Sequence, residues 1–354
     1  MITQKLDESD SVLGFTVGWV RALAARVEHL HVLCLERRTE RILSPLPGNV
    51  TTWSMGKDRG ASRLGELQDF HRVLSSVGRL VDVIFSHMSP RYAWLSAPYA
   101  ALFRKKLMLW YVHRRAGLEL RLATHSCDAV LTAVSTSFPV RTDKLHVLGH
   151  GIDSDFFSPD PRGPAAEGPL IVHVARLMRI KHQETLLRAL ATGIAARAVL
   201  IGEALDAGYA TFLHDLTGTL GLAGKVTFTG ARTPPEVRDL YRRATVAVNL
   251  TPEGSFDKAA LESMLVGVPT IVASPAFDTL CGDPRLRIDS PTDAQGLADR
   301  LRTLISLPAA EREGLGRGLR ERARAGHDLD RLMNHLVAFM EAGAHSSSGS
   351  SITC

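Results

Sequence analysis

The sequence predicts an α/β chain built from doubly wound parallel sheets, and three observations carry that expectation. The run ATVAVNL at 244–250 is apolar, β-branched and long enough for a buried strand; TPEGSFD follows as a loop, Lys258 to Leu265 are good helix formers, and PTIVAS reads as the next strand. Strand, loop, helix and strand in that order make a βαβ unit of a parallel sheet. The same alternation of short apolar runs and helical segments recurs along the rest of the chain. At 354 residues the chain exceeds what one hydrophobic core usually supports, so two domains are expected.

Composition narrows the function class. Hydrophobic residues at 45% and charged ones at 22% are those of a globular protein. The net charge of +5 and pI near 9.2 suit a phosphate-bearing substrate or an anionic membrane surface, and are too diffuse for nucleic acid. Cys34, Cys127, Cys281 and Cys354 are scattered, with no CxxC pair, which points to a reducing compartment and no zinc site. No apolar run reaches the ~20 residues that span a bilayer, and the start is neither a signal nor a transit peptide, so a cytoplasmic location is expected, with the inner membrane face as a secondary contact.

Taken in order, MIT is all that stands for a first strand, which is therefore expected to be stunted or to begin upstream of Met1. GFTVGWVRALAARV is a helix with Phe15, Trp19, Leu23 and Val27 on one face, and HVLCL is a strand. After a polar stretch at 36–62 come the helical segment LGELQDFHRVLSSVGRL, the strand VDVIFSHMS, and the apolar strand KLMLWYVHRR, whose end carries His113. His87 ends the strand before it. The cluster FRKKLMLWYVHRR is basic with aromatics interleaved, but its centre reads as a buried strand; a solvated rim is its first reading and docking to an anionic membrane its second. CDAVLTAV and KLHVL are further strands, and PDPRGPAAEGP is a linker rich in Pro, Gly and Ala.

The second domain opens with the strand LIVHV, a loop containing Arg176 and Lys181, and a helix from about His182. AVLIGEA and VTFTG are the next strands, RLRI is expected as the last strand, and GLADRLRTLI as the helix after it. HDLDRLMNHLVAFMEA carries Leu329, Leu332, Met333, Leu336 and Met340 on one face, a packing stripe, and SSSGSSITC is a polar tail. In open parallel sheets ligands sit beyond the C-terminal strand ends, where helix N-termini offer free N–H groups to anions. The loop from Glu253 to Asp257 lies at that edge, with Asp257 placed as the N-cap of the following helix and Glu262 one turn into it.

At these residues the chain resembles the retaining glycosyltransferases of family 4, which have the GT-B fold: two Rossmann-like, doubly wound parallel-sheet domains facing each other across a cleft. That family has an EGFG-type loop before a helix beginning LEAM, with two Glu separated by seven residues. Here LESM supplies the second as Glu262, which the resemblance assigns to the donor ribose. Gly254 stands at the first position and Glu253 is one residue early, so Glu253 by a loop shift, Asp257, or a different hold on the sugar all stay open. Ser255, Phe256 and Lys258 complete the donor loop that the resemblance implies. ARLMRIK resembles the family's GRL followed by a Lys-Gly pair, with Ala175 for the Gly, which makes Arg176 and Lys181 the grip on the donor diphosphate. GHGIDSDFFSPD resembles the family segment IPNGVDTDRFRP; His150 replaces the Asn, while Gly151, Asp153, Phe157 and Pro159 match. Its DSD is read as no metal site. Gly14 is where the resemblance puts close approach to the donor phosphate or the acceptor, an ordinary turn being the other reading. His113 matches the family His near donor sugar and acceptor hydroxyl, and His87 is a second acceptor-side candidate.

The resemblance thus implies transfer of a sugar from a nucleoside-diphosphate sugar, UDP- or GDP-linked, to a glycan, lipid-linked or small-molecule hydroxyl with retention of configuration. His113, Arg176, Lys181 and Glu262 would be the catalytic set, with no metal and no cofactor. Residues 1–157 would be the acceptor-side domain, 158–168 the linker, 169–325 the donor domain, 326–343 a helix crossing back to the first domain, and 344–354 a disordered tail. The alternatives are a catalytically inactive sugar-nucleotide-binding protein, favoured by the stunted start and Gly254, and a GT-B relative such as an epimerase.

Overall fold

The structure is a computed structural model, and it describes residues 1–10, 13–160, 168–252 and 256–342. The chain divides into two compact units, Met1–Gly151 with Leu329–Cys354, and Ile152–Asp328. Residues 152–157, expected in the first domain, therefore cluster with the second.

In the first unit seven strands, β1 (Ile2–Leu6), β2 (Leu30–Arg37), β3 (Val50–Ser54), β4 (Val83–His87), β5 (Lys106–Trp110), β6 (Ala129–Thr132) and β7 (Leu145–Val147), form one parallel sheet in the order β3-β2-β1-β4-β5-β6-β7. Its helices are α1 (Phe15–Ala24), α2 (Arg63–Val77), α3 (Pro90–Phe103) and α4 (Leu118–Ser126). Strand alternation sends Leu107 and Leu109 to one face, packed with Phe70, Val73 and Tyr92 of α2 and α3, and Met108 and Trp110 to the other, with Val17, Trp19 and Val20 of α1.

The first strand is the main correction to the sequence reading. ITQKL forms all of β1, at the centre of the sheet, paired with β2 through Ile2↔Leu33 to Leu6↔Arg37 and with β4 through Ile2↔Ser86. Its polar residues hid it: Thr3 is buried against His87, and Lys5 lies among the carboxylates of Asp7, Asp10 and Glu36. β3 was hidden too, because an edge strand paired only with β2 is half-exposed and reads as polar.

The second unit carries β8 (Leu170–Val174), α5 (Gln183–Ala191), β9 (Arg197–Ile201), α6 (Ala207–Thr219), β10 (Val226–Phe228), α7 (Pro234–Arg243), β11 (Val246–Asn249), α8 (Lys258–Val266), β12 (Thr270–Val272), α9 (Asp278–Cys281), α10 (Ala294–Ser306) and α11 (Ala309–His327). Its five strands are parallel, in the order β10-β9-β8-β11-β12. RLRI, expected as a last strand, contributes only a single bridge, Val272↔Arg287, after a short 3-10 turn at Pro284–Leu286. The last helix, α12 (Leu329–Glu341), belongs to the first unit, where Leu332, Met333 and Leu336 pack with Trp19 and Val20 of α1. Among the described residues no helix is long and apolar enough to cross a membrane.

One close approach fixes the loop that matters below. After β8 the chain is tied to the end of β9: Ala175 N–H donates to Ile201 O and Leu177 N–H to Glu203 O, both at 2.9 Å. Gly202 sits beside it with φ +153°, and a Cβ there would stand 2.1 Å from the Ala175 carbonyl oxygen. Gly202→Ala is expected to cost about 2 kcal/mol or more, the range of forced overpacking. A urea unfolding midpoint equal to wild type would contradict this contact.

Candidate functional site

The strand order of the second sheet reverses between β8 and β11, and such a switch point opens a crevice at the C-terminal strand ends. The two loops that leave these strands are the two the sequence singled out. From β8 comes the loop with Arg176 and Lys181; from β11 comes the segment through Thr251 to Asp257, of which Glu253, Gly254 and Ser255 lie outside the described residues.

Lys181 and Asp257 meet there. Lys181 Nζ lies 2.6 Å from Asp257 Oδ2 and donates to Thr251 Oγ1 at 3.0 Å, while Asn249 Nδ2 donates to the same carboxylate oxygen at 3.2 Å and Thr251 Oγ1 donates to it as well. Thr251 and Asn249 are buried, Lys181 is 12% exposed and Asp257 26%. Burial pushes the Asp257 carboxyl up, but the Lys181 ammonium and the hydrogen bonds from Lys181, Thr251 and Asn249 outweigh it, and the net shift is downward. The expected N-cap role is thus half right: Asp257 takes the N-cap backbone position of α8, but its side chain makes no capping bond and faces Lys181. The N-cap residue of α5, His182, likewise makes no side-chain capping bond and lies in the left-handed region at φ 50°.

Arg176 is exposed, and its backbone is pinned from below, its carbonyl accepting from Nε2 of the fully buried Gln183 at 2.9 Å. Lys258 and Glu262, four apart on α8, are both half-buried. Burial lowers the Lys258 ammonium to about 7 and raises the Glu262 carboxyl to about 7; each group's charge opposes the other's shift. Glu262 therefore holds a proton more readily than an ordinary carboxyl, which suits a group that hydrogen-bonds hydroxyls. Phe256 does not face the strand ends: its ring stacks on Phe277 at 4.3 Å and lies 4.9 Å from His327, so it is a packing residue, a correction to its place in the donor loop.

The first unit has its own switch point, between β1 and β4. His87 ends β4 there, but its ring is fully buried against Trp19 at 4.7 Å, with Nδ1 3.2 Å from Thr3 Oγ1; as an acceptor-side group it is corrected to a core histidine. The next residue, Met88, has φ 58°, and Gln4 Nε2 donates to its carbonyl at 2.8 Å. His113 lies three residues beyond the end of β5 rather than on the strand, exposed, its ring edge-on to Tyr111 at 5.8 Å. Gly14 precedes α1, and a Cβ would stand 2.6 Å from the Asp10 carbonyl oxygen and 2.8 Å from that of Glu8. The chain's own loop thus accounts for this glycine. That loop is acidic and pinned: Asp7, 1% exposed, accepts from the Ser9 hydroxyl and backbone, and Arg21 pairs with Glu8 at 2.9 Å. The DSD at 153–155 is a turn, Asp153 Oδ1 accepting from the N–H groups of Asp155 and Phe156.

Asp257 titration has a definite sign. A carboxyl held below its ordinary value of 3.8 adds stability that is complete above that value and is lost as pH falls through the lowered folded one. The stability advantage of wild type over Asp257→Asn is therefore expected to be full at neutral pH and to shrink in acid, read by denaturant unfolding across a pH series. An advantage that grows below 3.8 would contradict the Lys181–Asp257 pairing.

Residues 168–306, which contain β8 to α10, match the family model of glycosyl transferases group 1. The chain is similar to D-inositol 3-phosphate glycosyltransferases of Mycobacteroides abscessus, 28% identical over 41% of the chain and 34% of the relative, and of Mycolicibacterium paratuberculosis, 25% identical over 60% and 42%. It thus spans well under half the length of the curated relatives it matches. Among solved structures, Anabaena HepE in complex with UDP aligns over 97% of this chain and all of its own at a TM-score of 0.77 and 19% identity. A glycosyltransferase of Rickettsia africae aligns over 99% of both chains at 0.79 and 13%. The match to glycosyl transferases group 1 thus lies within the second unit, and the two parallel-sheet units are those of the GT-B fold.

Proposed function

We propose that the chain transfers a sugar from a nucleoside-diphosphate sugar to an acceptor hydroxyl with retention of configuration. The observation that carries this reading is Lys181 at the β8/β11 switch point, fixed by Asp257 and Thr251 at the N-terminal ends of α5 and α8. Diphosphate oxygens are the ligand that such an arrangement favours: a held ammonium, an exposed guanidinium at Arg176, and the positive ends of the α5 and α8 dipoles.

The chemistry follows from where charge develops. Cleavage of the anomeric C–O bond leaves negative charge on the β-phosphate, and Arg176 and Lys181 stabilise that charge more than they stabilise the intact donor. The acceptor oxygen attacks from the face the diphosphate leaves, and a leaving phosphate oxygen takes its proton, so no protein carboxylate has to act as base. Glu262, with its raised affinity for a proton, holds the ribose hydroxyls. Asp257 receives all three of its described hydrogen bonds on Oδ2, which leaves Oδ1 as the acceptor for a sugar hydroxyl. His113, exposed beyond β5, is the acceptor-side candidate. The donor is a substrate, and the reaction as written uses neither a metal nor a cofactor.

The inositol-phosphate acceptor named for the curated relatives makes phosphorylated polyols the first acceptors to try, and the UDP-glucose complex of Anabaena HepE makes UDP-sugars the first donors. A lipid-linked acceptor at a membrane surface, met by the basic residues around β5, is the second. Lys181→Ala and Glu262→Ala are each expected to lower kcat/KM for transfer about 100-fold or more, the range for loss of one strong electrostatic contact to the transition state. Steady-state kinetics with circular dichroism as the folding control reads this; near-normal turnover in both variants would sink the assignment. An inactive sugar-nucleotide-binding protein would instead bind the donor and show neither transfer nor slow hydrolysis.

A further inference from the structure

Gln183 stands on a face where its chemistry is out of place. α5 buries Leu186, Leu187 and Leu190, and position 183 falls on the same face at the i, i+3, i+4, i+7 spacing, where an apolar side chain would complete the core. The residue there is an amide, and it is fully buried. Nε2 donates to the Arg176 carbonyl at 2.9 Å, which fixes the orientation of the amide, because a carbonyl only accepts. Among the described residues Oε1, on its other side, is buried without a hydrogen-bond partner. Leaving such an acceptor unsatisfied costs as much as one neutral hydrogen bond contributes, or more. An apolar side chain would therefore serve the core at least as well, and stability alone does not account for the amide. Directly before it His182 has φ 50°, a left-handed conformation that strains any residue other than glycine.

What the amide holds is a cation that has no other anchor of its own. Lys181 is fixed through its ammonium by Asp257 and Thr251. The Arg176 guanidinium makes no hydrogen bond or ion pair among the described residues, so its direction is set by its backbone. The peptide groups on either side are tied to the end of β9, Ala175 N–H to Ile201 O and Leu177 N–H to Glu203 O, and the Arg176 carbonyl is tied to Gln183. Gln183 thereby closes the loop on itself. Its backbone follows Lys181 by two residues and its side chain reaches back to Arg176, which fixes the start of the loop relative to its end. A loose Arg176 would lose backbone as well as side-chain freedom on meeting a ligand, and a braced one loses less. We propose that Gln183 is a positioning residue for Arg176: it holds the Arg176 peptide so that the guanidinium is already aimed when a diphosphate arrives. This rests on the donor-site reading, because the diphosphate is the ligand of that reading.

The whole chain carrying Gln183→Met tests this, with inorganic pyrophosphate and UDP as the probes. Methionine keeps the length, fills the buried site, removes the unsatisfied oxygen and lets the exposed Arg176 turn its carbonyl to water. The urea midpoint is expected to equal or exceed that of wild type, while pyrophosphate and UDP bind about tenfold more weakly, the scale of one hydrogen bond. In an Arg176→Ala background the same substitution is expected to change binding less than about twofold, because the group it positions is gone. Amide hydrogen exchange gives a readout without ligand: exchange at Leu177 is expected to quicken about tenfold or more in Gln183→Met, with Ile171 to Val174 of β8 unchanged. Unchanged pyrophosphate binding, a tenfold loss that persists without the Arg176 side chain, or unchanged exchange at Leu177 overturns the proposal. So does a fall of midpoint and binding together, which is what a residue serving packing alone would give. If instead Arg176→Ala binds both probes as wild type does, or wild type binds neither, the donor-site reading falls, and exchange at Leu177 still decides whether Gln183 holds the loop.

Discussion

A lysine ammonium that is nearly out of solvent must have a counter-charge, and the ligand edge of the second unit is arranged around how Lys181 obtains it. Asp257 supplies the charge, and Thr251 and Asn249 hold Asp257 in place. These groups come from three different segments: the loop after β8, the end of β11 and the start of α8. The contact between them exists only because parallel strands β8 and β11 are neighbours although β9 and β10 lie between them in sequence. Topology thus brings a cation of one loop against a carboxylate some 76 residues away. Removing one partner of such a pair costs about 3–5 kcal/mol when it is fully buried, and the partial exposure of Asp257 puts this one toward the lower end.

The loops are held from below as firmly as from the side. Gly202 allows the end of β9 to press against the Ala175 carbonyl, and Gln183 ties down the Arg176 carbonyl, so Lys181 is presented by a braced segment rather than a free one. Preorganisation of this kind matters for electrostatic catalysis, because charges already in place need no rearrangement as the bond breaks. The first unit is braced differently. Its switch-point loop is acidic and tied by Lys5, Arg21 and Arg41, which makes it a poorer place than the second unit for the proposed diphosphate.

What was legible in the sequence and what was not divides on physical lines. The second unit was readable because β8, β11 and β12 are buried and show as continuous apolar runs, and because Arg176, Lys181 and Glu262 stand at fixed distances from strand and helix ends. β1 was not readable: a central strand is normally apolar, but here Thr3 is buried against His87 and Lys5 is held half-buried by ion pairing, partners that only the fold reveals. His87 was misplaced for the converse reason. A strand end is where ligands bind, yet α1 lays Trp19 across it. Asp257 was seen as a cap because position alone defines a cap in sequence, whereas its partner Lys181 is remote. Phe256 was taken with its loop, and its stacking on Phe277 depends on the segment after β12.

The central claim is that the β8/β11 edge recognises a diphosphate through Lys181. Isothermal titration of the folded chain with UDP, GDP and ADP, each beside its own nucleoside, tests it most directly. The account predicts saturable binding of one diphosphate, with its nucleoside at least 100-fold weaker, a difference of about 2.7 kcal/mol carried by the phosphate contacts. No binding by any diphosphate, or equal binding of nucleoside and diphosphate, would contradict it.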